Sequence, residues 1–380
     1  MKYILSDNGL HLRFAPLTLT RPVGALRVGI MTNEERLKFG DEEAEVFFET
    51  EDYLTTKFPS TTLDDETIRI NAQVVLSDLT LSVIMALETG DLLKRGEIWV
   101  AQKGSEVTRE IKLLEDVELL ENRWDLFEKN ARILQADFDW LKEGRISSPI
   151  SRSNTIIGNP NLIFAEEDAK VEAAILNTTE GPIYLGKESE VMENAVLRGG
   201  VALCEHVVVK VGAKIYGATT FGPHCKVGGE VSNSIFQGFS NKGHDGFVGN
   251  ALIGEWCNLG ADTNSSNLKN NYSMVSTYSY ETGKIEKTTQ QFMGITMGDH
   301  SKSGINTMFN TATVCGVCCN VYGGDFPPKF IPSFSWGTAQ GFELFKMEKA
   351  VEMAKAMMAR RHVEFTEGDQ RIFDALFPKN

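Results

Sequence analysis

Bulky apolar residues recur at every sixth position through the middle of this 380-residue chain. The unbroken run comprises Leu185, Val191, Leu197, Leu203, Val209, Ile215, Phe221 and Val227, and the residue four positions after each is small or β-branched. A period of six fits neither an α-helix, which repeats about every 3.6 residues, nor a simple alternating strand. It predicts short strands separated by turns, with coils of about 18 residues stacked about 4.8 Å apart. The repeat therefore predicts a parallel β-helix, whose flat faces favour packing as a homotrimer.

The repeat is interrupted twice, at residues 232–249 and at residues 265–292. Insertions into a solenoid become loops that project from one face, and that face is often the one that binds ligands. We therefore expect the chemistry of the chain to lie at these two interruptions.

The pattern divides the chain into four segments. Residues 1–145 predict an α/β domain, and residues 146–182, with their prolines, glycine and Ser/Asn cluster, predict a connector with irregular first coils. Residues 183–325 form the predicted β-helix. Residues 326–380 begin with prolines that stop the solenoid and contain a predicted helix at Phe342–Arg361, which we interpret as a cap or an oligomer contact.

The N-terminal segment alternates between strand and helix patterns. The predicted strands include Glu45–Phe48 and Ala72–Leu76, and the predicted helices include Ser77–Leu93 and Arg123–Leu141. This alternation is typical of an α/β domain with a mainly parallel sheet.

The chain is acidic, with 52 acidic and 38 basic residues and a net charge of −14. An acidic chain without a basic patch in its sequence argues against nucleic acid or an anionic membrane as partner, but it permits an anionic small substrate. It contains no apolar run long enough to cross a membrane. The N-terminal sequence MKYILSDNGL is too short and too polar for a signal peptide, so we expect a cytoplasmic protein.

Two residue pairs have spacings that occur in metal sites. Cys315 and Cys318 form a C-x-x-C pair, but no second pair with ligand spacing accompanies them. His206 and His224 are separated by one full coil of the predicted β-helix and should stack on successive rungs, where some β-helix trimers bind zinc. Both histidines lie at outward turn positions, and the usual spacing of an acidic partner is not evident in the sequence, so we predict no metal site.

The segment HDGFVGNALIGEWCNLGADTNSSN, from His244 to Asn267, resembles the acetyltransferase half of the bifunctional enzymes that make UDP-N-acetylglucosamine. The resemblance extends loosely over residues 183–325, and the whole chain looks like a GlmU-like family of sugar nucleotidyltransferases and acetyltransferases. It implies a nucleotidyltransferase-like, degenerate Rossmann-like α/β domain, then a left-handed parallel β-helix with a C-terminal helix. It also implies acetyl-CoA as co-substrate and an amino sugar as acyl acceptor.

Four residues of this segment fall on positions that the family uses in its acetyltransferase site. His244 falls on the general base, which suits an imidazole because it titrates near neutral pH and can take the proton of an attacking amine. Asn258 and Asn267 fall on asparagines that line the acyl or sugar site. Phe247 replaces a tyrosine that contacts the sugar phosphate, so the identity of the sugar is open.

Several charged and polar residues are candidates for phosphate contacts. Lys242 and Lys269 flank the acetyltransferase segment and could meet a phosphate. Nucleotidyltransferases carry a glycine-rich loop, L-x-x-G-x-G-T-R-M, whose backbone N–H groups reach the phosphates. Here the matching stretch reads LSDNGLHLRFAP and has one glycine. Asn8, Arg13 and Arg21 are the candidate nucleotide contacts, and Mg²⁺ is expected only if this domain is active.

These observations favour a coenzyme-A-dependent N-acyltransferase that acts on an amino-sugar phosphate or a nucleotide sugar. Two alternatives remain. The chain could be an active sugar-1-phosphate nucleotidyltransferase whose β-helix only trimerises it, or a non-catalytic oligomer that binds a nucleotide sugar.

Overall fold

The computed structural model describes residues 1–378, which form an N-terminal α/β domain, a parallel β-helix and two C-terminal helices. The N-terminal domain is built on a six-stranded sheet in which one strand, Ile98–Lys103, runs antiparallel to both of its neighbours while the other pairs are parallel. The expected mainly parallel sheet is therefore mixed. The strands in order across the sheet are Glu45–Glu49, Lys2–Ser6, Thr67–Asn71, Ile98–Lys103, Asp91–Arg95 and Arg109–Lys112, and the short strands Val74–Val75 and Glu118–Leu119 pair separately.

Three helices pack around this sheet: α1 (Asn33–Gly40), α2 (Asp78–Met85) and α3 (Asp125–Lys142). Helix α2 is shorter than the predicted helix, because the chain turns at Gly90, where φ is 93°, and enters the next strand. Ser77 caps α2, since its hydroxyl accepts a hydrogen bond from the Thr80 N–H at 3.2 Å.

Helix α3 confirms the prediction for Arg123–Leu141 and joins the two domains. Its Leu126 and Ile133 belong to the core beneath the N-terminal sheet, whereas Leu134 and Phe138 belong to the core that includes the β-helix. Burial of an amphipathic helix on two sides fixes the N-terminal domain against the β-helix.

Three parallel sheets form the faces of the β-helix. Face 1 contains Ile163–Ala165, Ile183–Leu185, Val201–Leu203, Thr219–Phe221, Ile235–Gly238, Leu252–Glu255, Thr296–Met297, Val314–Cys315 and Phe330–Ile331. Face 2 contains Lys170–Val171, Glu190–Val191, Val208–Val209, Lys226–Val227, Asn241–Lys242, Asn258–Leu259, Lys302–Ser303, Asn320–Val321 and Ser335–Thr338, with Gly341–Leu344 added antiparallel at its end. Face 3 contains Thr155–Ile157, Ile175–Asn177, Val196–Arg198, Lys214–Tyr216, Glu230–Ser232, Phe247–Gly249, Asn264–Ser265 and Met308–Phe309.

The periodic apolar residues fill the interior of the coils, as the repeat predicts. Leu185, Val191 and Leu197 are each 1% exposed or less. The turns between faces use residues with positive φ, such as His206 at 55° and His224 at 60°. This left-handed backbone region turns the chain from one face to the next.

The first interruption of the repeat, residues 232–249, stays within the coil. Val201 pairs with Thr219, one full coil later, whereas Phe221 pairs with Phe236, which arrives before a full coil is complete. The expectation of a projecting loop is wrong at this place, because the chain absorbs the break by shortening successive coils.

The second interruption, residues 265–292, does leave the coil and contains the hairpin Ser276–Ser279/Lys284–Lys287. Arg123 of the N-terminal domain donates hydrogen bonds to the Thr277 hydroxyl at 2.6 Å and to the Tyr278 carbonyl at 2.7 Å. This insertion therefore ties the two domains together.

The chain after the coils forms α4 (Met347–Ala359) and α5 (Glu367–Leu376). The predicted helix at Phe342–Arg361 begins later, because Phe342 lies in the last strand of face 2. Ala350, Ala354 and the Phe334 ring share one core cluster, so α4 caps the β-helix. None of the helices described for residues 1–378 combines the length and the apolar character that a membrane span requires.

Candidate active site

A cleft of about 780 Å³ lies between the outer surface of face 2 and the C-terminal half of α4. Its floor includes Asn241, Asn258 and Lys302, which pair on successive rungs of the β-helix. Its wall includes Met353 and Met357 of α4. The volume falls within the range of small-molecule sites in proteins, about 300–1,000 Å³.

His244 lies at the border of this cleft, in the turn that follows the strand Asn241–Lys242. Gly246 follows in the same turn with a φ of 110°, and a Cβ there would lie 2.3 Å from the Thr263 carbonyl oxygen. The ring is exposed, and none of residues 1–378 forms a hydrogen bond with it. The ring nitrogens are therefore open to a ligand in the cleft.

Asn258 lies in the same cleft and is held from one side. The Asn241 amide donates to the Asn258 side-chain oxygen at 3.5 Å, and Arg361 donates to the Asn241 side-chain oxygen at 3.2 Å. The Asn258 amide nitrogen has no acceptor among residues 1–378. The amide nitrogen is therefore open to a carbonyl or a hydroxyl of a ligand.

Five cations that sequence reasoning missed also line the cleft: Lys210, Lys226, Lys302, Arg360 and Arg361. Burial and the neighbouring charges of Arg361, Lys210 and Arg360 lower the pKa of Lys226. Burial also lowers the pKa of Lys302, whose amine donates to the His300 carbonyl at 2.9 Å. The available sequence signal was the Arg-Arg pair directly after α4, but nothing local indicates that it meets face 2.

Lys242 does not flank the ligand space as predicted. It points into the coil, where it is 1% exposed and occupies the interior column that Val227 and Leu259 fill on adjacent rungs. Its amine donates to the Gly228 carbonyl at 3.1 Å and to the His244 carbonyl at 2.9 Å. Burial lowers the pKa of Lys242 to about 8. The Lys242 amine therefore stabilises the His244 turn by a hydrogen bond from the interior of the coil.

Replacing Lys242 with methionine should remove a pH dependence of folding. The unfolded chain keeps an ordinary lysine pKa near 10.4, above the folded value, so between about pH 8 and 10 the unfolded state binds more protons. The wild-type free energy of unfolding should therefore rise by about 2 kcal/mol more than that of Lys242→Met between pH 7 and 9.5, as urea unfolding would show. Lys269→Met is the control, and equal pH profiles for wild type and Lys242→Met would contradict the buried-lysine account.

Phe247, Asn267 and Lys269 do not converge with His244 in this chain. The Phe247 ring and the Asn267 amide meet beside Gly249 on face 3, and Asn267 donates to the Asn250 side-chain oxygen at 2.8 Å. Lys269 lies in the second interruption, where its amine donates to the Met274 carbonyl at 3.1 Å. The predicted site residues are thus divided between the cleft on face 2 and the neighbouring face.

The N-terminal candidates are engaged in structural contacts. Asn8 bonds to Gln73 and accepts from the Trp99 indole at 3.1 Å. Arg13 pairs with Glu281 of the second interruption at 3.2 Å. These contacts leave neither side chain reserved for a nucleotide, so the prediction for both residues finds no support in the geometry.

Arg21 is a buried link between the two domains, in contrast to its predicted nucleotide contact. It donates to Glu255 at 2.8 Å and to Asp299, whose carboxylate also accepts from the Thr20 hydroxyl at 2.8 Å. Burial raises the pKa of Asp299, whereas for Glu255 the effect of burial is outweighed by the Arg21 charge and the pKa is lowered. The pair of carboxylates accounts for the position of Arg21 without a ligand.

Asp7, in the loop after the first strand, contacts several parts of the N-terminal domain. The Asp7 carboxylate accepts hydrogen bonds from the Val23 N–H at 2.7 Å, the Thr50 hydroxyl at 2.5 Å and the His11 ring at 3.0 Å. Asp78 is the first residue of α2, where a carboxylate stabilises the helix N-terminus. Within residues 1–378 no group of three His, Cys, Asp or Glu side chains could hold a metal ion.

The spacing of His206 and His224 produces the predicted stacking. Their ring centroids are 4.6 Å apart, and the stack continues through Phe239, 4.9 Å from His224, to Trp256, 4.2 Å further on. The histidines are part of an aromatic ladder along the corner between faces 1 and 2. Phe239 and Trp256 also line the cleft.

The comparisons with known proteins concern mainly the N-terminal domain. A family described as sugar nucleotidyl transferases matches residues 3–146. The N-terminal domain is thus similar to sugar nucleotidyltransferases. Together with the β-helix that follows, it fits a GlmU-like transferase in broad terms.

Two further comparisons add no functional detail. None of the curated proteins matches this chain. Among solved structures, the polysialic acid O-acetyltransferase OatWY matches with 13% identity over 52% of this chain and 89% of its own, with a TM-score of 0.23. A likeness of that strength supports no inference about this chain.

Proposed function

We propose that this protein is a coenzyme-A-dependent N-acyltransferase that acts on an amino-sugar phosphate or a nucleotide sugar. The observation that carries the proposal is the cleft on face 2, which combines an exposed imidazole, His244, with an asparagine amide, Asn258, and a set of cations without carboxylate partners among residues 1–378. Phosphates on both the acyl donor and the sugar would explain these cations in a chain whose net charge is −14.

The chemistry follows from these side chains. The amine nitrogen of the sugar attacks the thioester carbonyl, forming the N–C bond while the C–S bond breaks and the thiolate leaves. The His244 imidazole accepts the proton that the amine loses, which is a typical task for a positioned histidine and contributes about 10²–10⁴-fold. The Asn258 amide donates to the carbonyl oxygen or to a sugar hydroxyl.

We propose that the N-terminal domain is a degenerate nucleotidyltransferase. Asp7 and Arg21 are buried and held by contacts within the protein, and Arg13 forms a partly exposed pair with Glu281. The family match over residues 3–146 favours the alternative of an active nucleotidyltransferase. Release of pyrophosphate from a nucleoside triphosphate and a sugar-1-phosphate in the presence of Mg²⁺ tests it, and we expect none.

We also propose that the protein is a homotrimer. Face 1 is covered by the N-terminal domain, where the Thr220 hydroxyl donates to the Gly29 carbonyl at 2.6 Å and Gln237 accepts from the Arg27 N–H at 2.7 Å. Face 3 carries exposed side chains, among them Met308, and is flat enough to pack against another copy. Light scattering at several concentrations would measure the mass, and a monomer at every concentration would contradict the trimer.

The acyltransferase proposal is tested by the release of free thiol from acetyl-CoA. The acceptors should include amino-sugar 1-phosphates, amino-sugar 6-phosphates and nucleotide-linked amino sugars, with the unphosphorylated amino sugars as controls. We expect turnover with one phosphorylated class. Binding of a nucleotide sugar without any thiol release would favour the non-catalytic alternative.

A further inference from the structure

A groove of about 650 Å³ lies on the N-terminal domain. It runs between one side of α3 and the first turn of α2, and residues 116–118, at the start of the strand Glu118–Leu119, border it as well. None of the residues that line this groove also lines the cleft on face 2. The groove is therefore a separate feature of the surface, and the acyl-transfer chemistry proposed above makes no use of it.

The lining of the groove is largely apolar. Ile133 and Leu76 are buried in it, the Trp140 ring is half-buried, and Leu79 is 63% exposed. The Trp140 ring is held in place by an edge contact with Phe39, whose ring centroid lies 5.2 Å away. Exposed apolar side chains gathered in a concave surface and bordered by polar residues are typical of protein–protein contact sites.

The rim of the groove is acidic. Glu118 pairs with Arg132 across the groove residues at 3.2 Å, and Asp116 pairs with Arg95, which lies outside the groove. Lys142 is the second cation of the lining. The exposed or half-buried carboxylates of the lining number five, against these two cations, and they are Asp78, Asp116, Glu118, Asp139 and Glu143.

Three of these acids, Asp78, Asp139 and Glu143, form a set that we call the rim carboxylates. Within residues 1–378, none of them has a cation within the 4.0 Å of an ion pair. Asp139 accepts a hydrogen bond from the neutral Gln135 amide at 2.9 Å, which leaves its charge uncompensated. The rim carboxylates are not grouped as metal ligands either, since no three acids, histidines or cysteines of the described chain could hold one ion. Their charges thus suit several cations spread along a partner.

The shape of the groove matches a helix. Arg132, Ala136, Trp140 and Glu143 follow one another at intervals of three or four residues, so they lie along one side of α3 and its end. At 1.5 Å per residue this side is about 16 Å long, which equals about three turns of a second helix lying beside it. Ala136 is exposed and small, so a partner helix can approach α3 closely at this point.

We propose that this groove binds an amphipathic helix of a partner protein, with the apolar side of that helix on the groove lining and its Lys or Arg side chains toward the rim carboxylates. Helices that bind in grooves present apolar residues at positions i, i+3, i+4 and i+7, and the acidic rim selects a basic helix among them. The partner is a different protein. Among the helices of residues 1–378, only α4 is followed directly by two arginines, and its apolar side is already packed against the end of the β-helix.

The test is the fluorescence anisotropy of labelled synthetic peptides titrated with the full chain. The first peptide contains only Leu and Lys, is about four turns long and has leucines at i, i+3, i+4 and i+7. The second has the same composition in scrambled order, and the third has Glu in place of Lys. We expect the ordered Leu/Lys peptide to bind about 10-fold or more tightly than either of the others, with an affinity that falls as salt is added.

Two variants test the lining and the rim separately. Leu79→Gln should weaken binding of the ordered Leu/Lys peptide about 5-fold or more, because it removes apolar contact area. The Asp139→Lys, Glu143→Lys double variant should weaken it about 10-fold or more and should strengthen binding of the Leu/Glu peptide. All three side chains are exposed, so both variants should fold, and circular dichroism would verify this.

Glu106→Lys is the matched control, since Glu106 is an exposed acid of the same domain that lies outside the groove. It should keep the wild-type affinity. Equal affinity for the ordered and scrambled Leu/Lys peptides would indicate attraction to net charge alone and would overturn the inference. Absence of binding, wild-type affinity in both groove variants, or an equally large loss in Glu106→Lys would overturn it as well.

Discussion

The His244→Ala variant should lose about 10²-fold or more of the acyl-transfer rate at saturating acetyl-CoA and amino sugar. We propose the imidazole as the proton acceptor because it is exposed, lines the cleft and forms no hydrogen bond with residues 1–378. Initial rates of thiol release would measure the loss. The effect should fall on kcat more than on KM, since a general base acts mainly in the transition state.

His206→Ala serves as the matched control for this variant. His206 is another turn histidine of the β-helix, but its ring pairs with Glu188 at 3.3 Å and stacks on His224 outside the cleft lining. We expect it to keep the wild-type rate. A His244→Ala enzyme that matches wild type would show that another group takes the proton.

The Arg21→Met variant should lower the free energy of unfolding by about 3–5 kcal/mol, because it leaves the buried Asp299 carboxylate without its cation. Arg21 and Asp299 are both buried, with 6% and 4% of their surface exposed, and Arg21 also pairs with Glu255. Urea unfolding followed by fluorescence would measure the change. The Arg21→Met, Asp299→Asn double variant should recover part of the loss, since it removes the unpaired charge.

Arg13→Met is the control for this ion pair. Arg13 and Glu281 are 39% and 48% exposed, so the pair should contribute no more than about 1 kcal/mol. An Arg21→Met variant with wild-type stability and weakened nucleotide binding would contradict the structural role and would restore the nucleotide contact expected from the sequence.

The β-helix could be predicted because its repeat is directly visible in the order of residues. The structural consequences of the two interruptions could not be predicted from the sequence. The first is absorbed by shortened coils, in which Phe221 pairs with Phe236 and the chain stays within face 1. The second leaves the coil as expected, but its partner, Arg123, lies far away in sequence, in the N-terminal domain. Contacts of that kind depend on domain packing, which has no local sequence signal.

The candidate site was only partly predictable for the same reason. His244 and Asn258 lie close in sequence and carry the resemblance to acetyltransferases, so both could be named. The cations of the cleft come from positions as far apart in sequence as Lys210 and Arg361, and they meet only because α4 folds back over face 2. Lys242 was assigned to the ligand space, whereas its pairing with Val227 places the side chain inside the coil.

The account depends most on the claim that acetyl-CoA binds in the cleft between face 2 and α4. Hydrogen exchange of the full chain with and without saturating acetyl-CoA tests this claim directly. We predict slower exchange in residues 239–244, 256–261 and 353–361, which border the cleft. Slower exchange confined to the N-terminal domain, or no change anywhere, would contradict it.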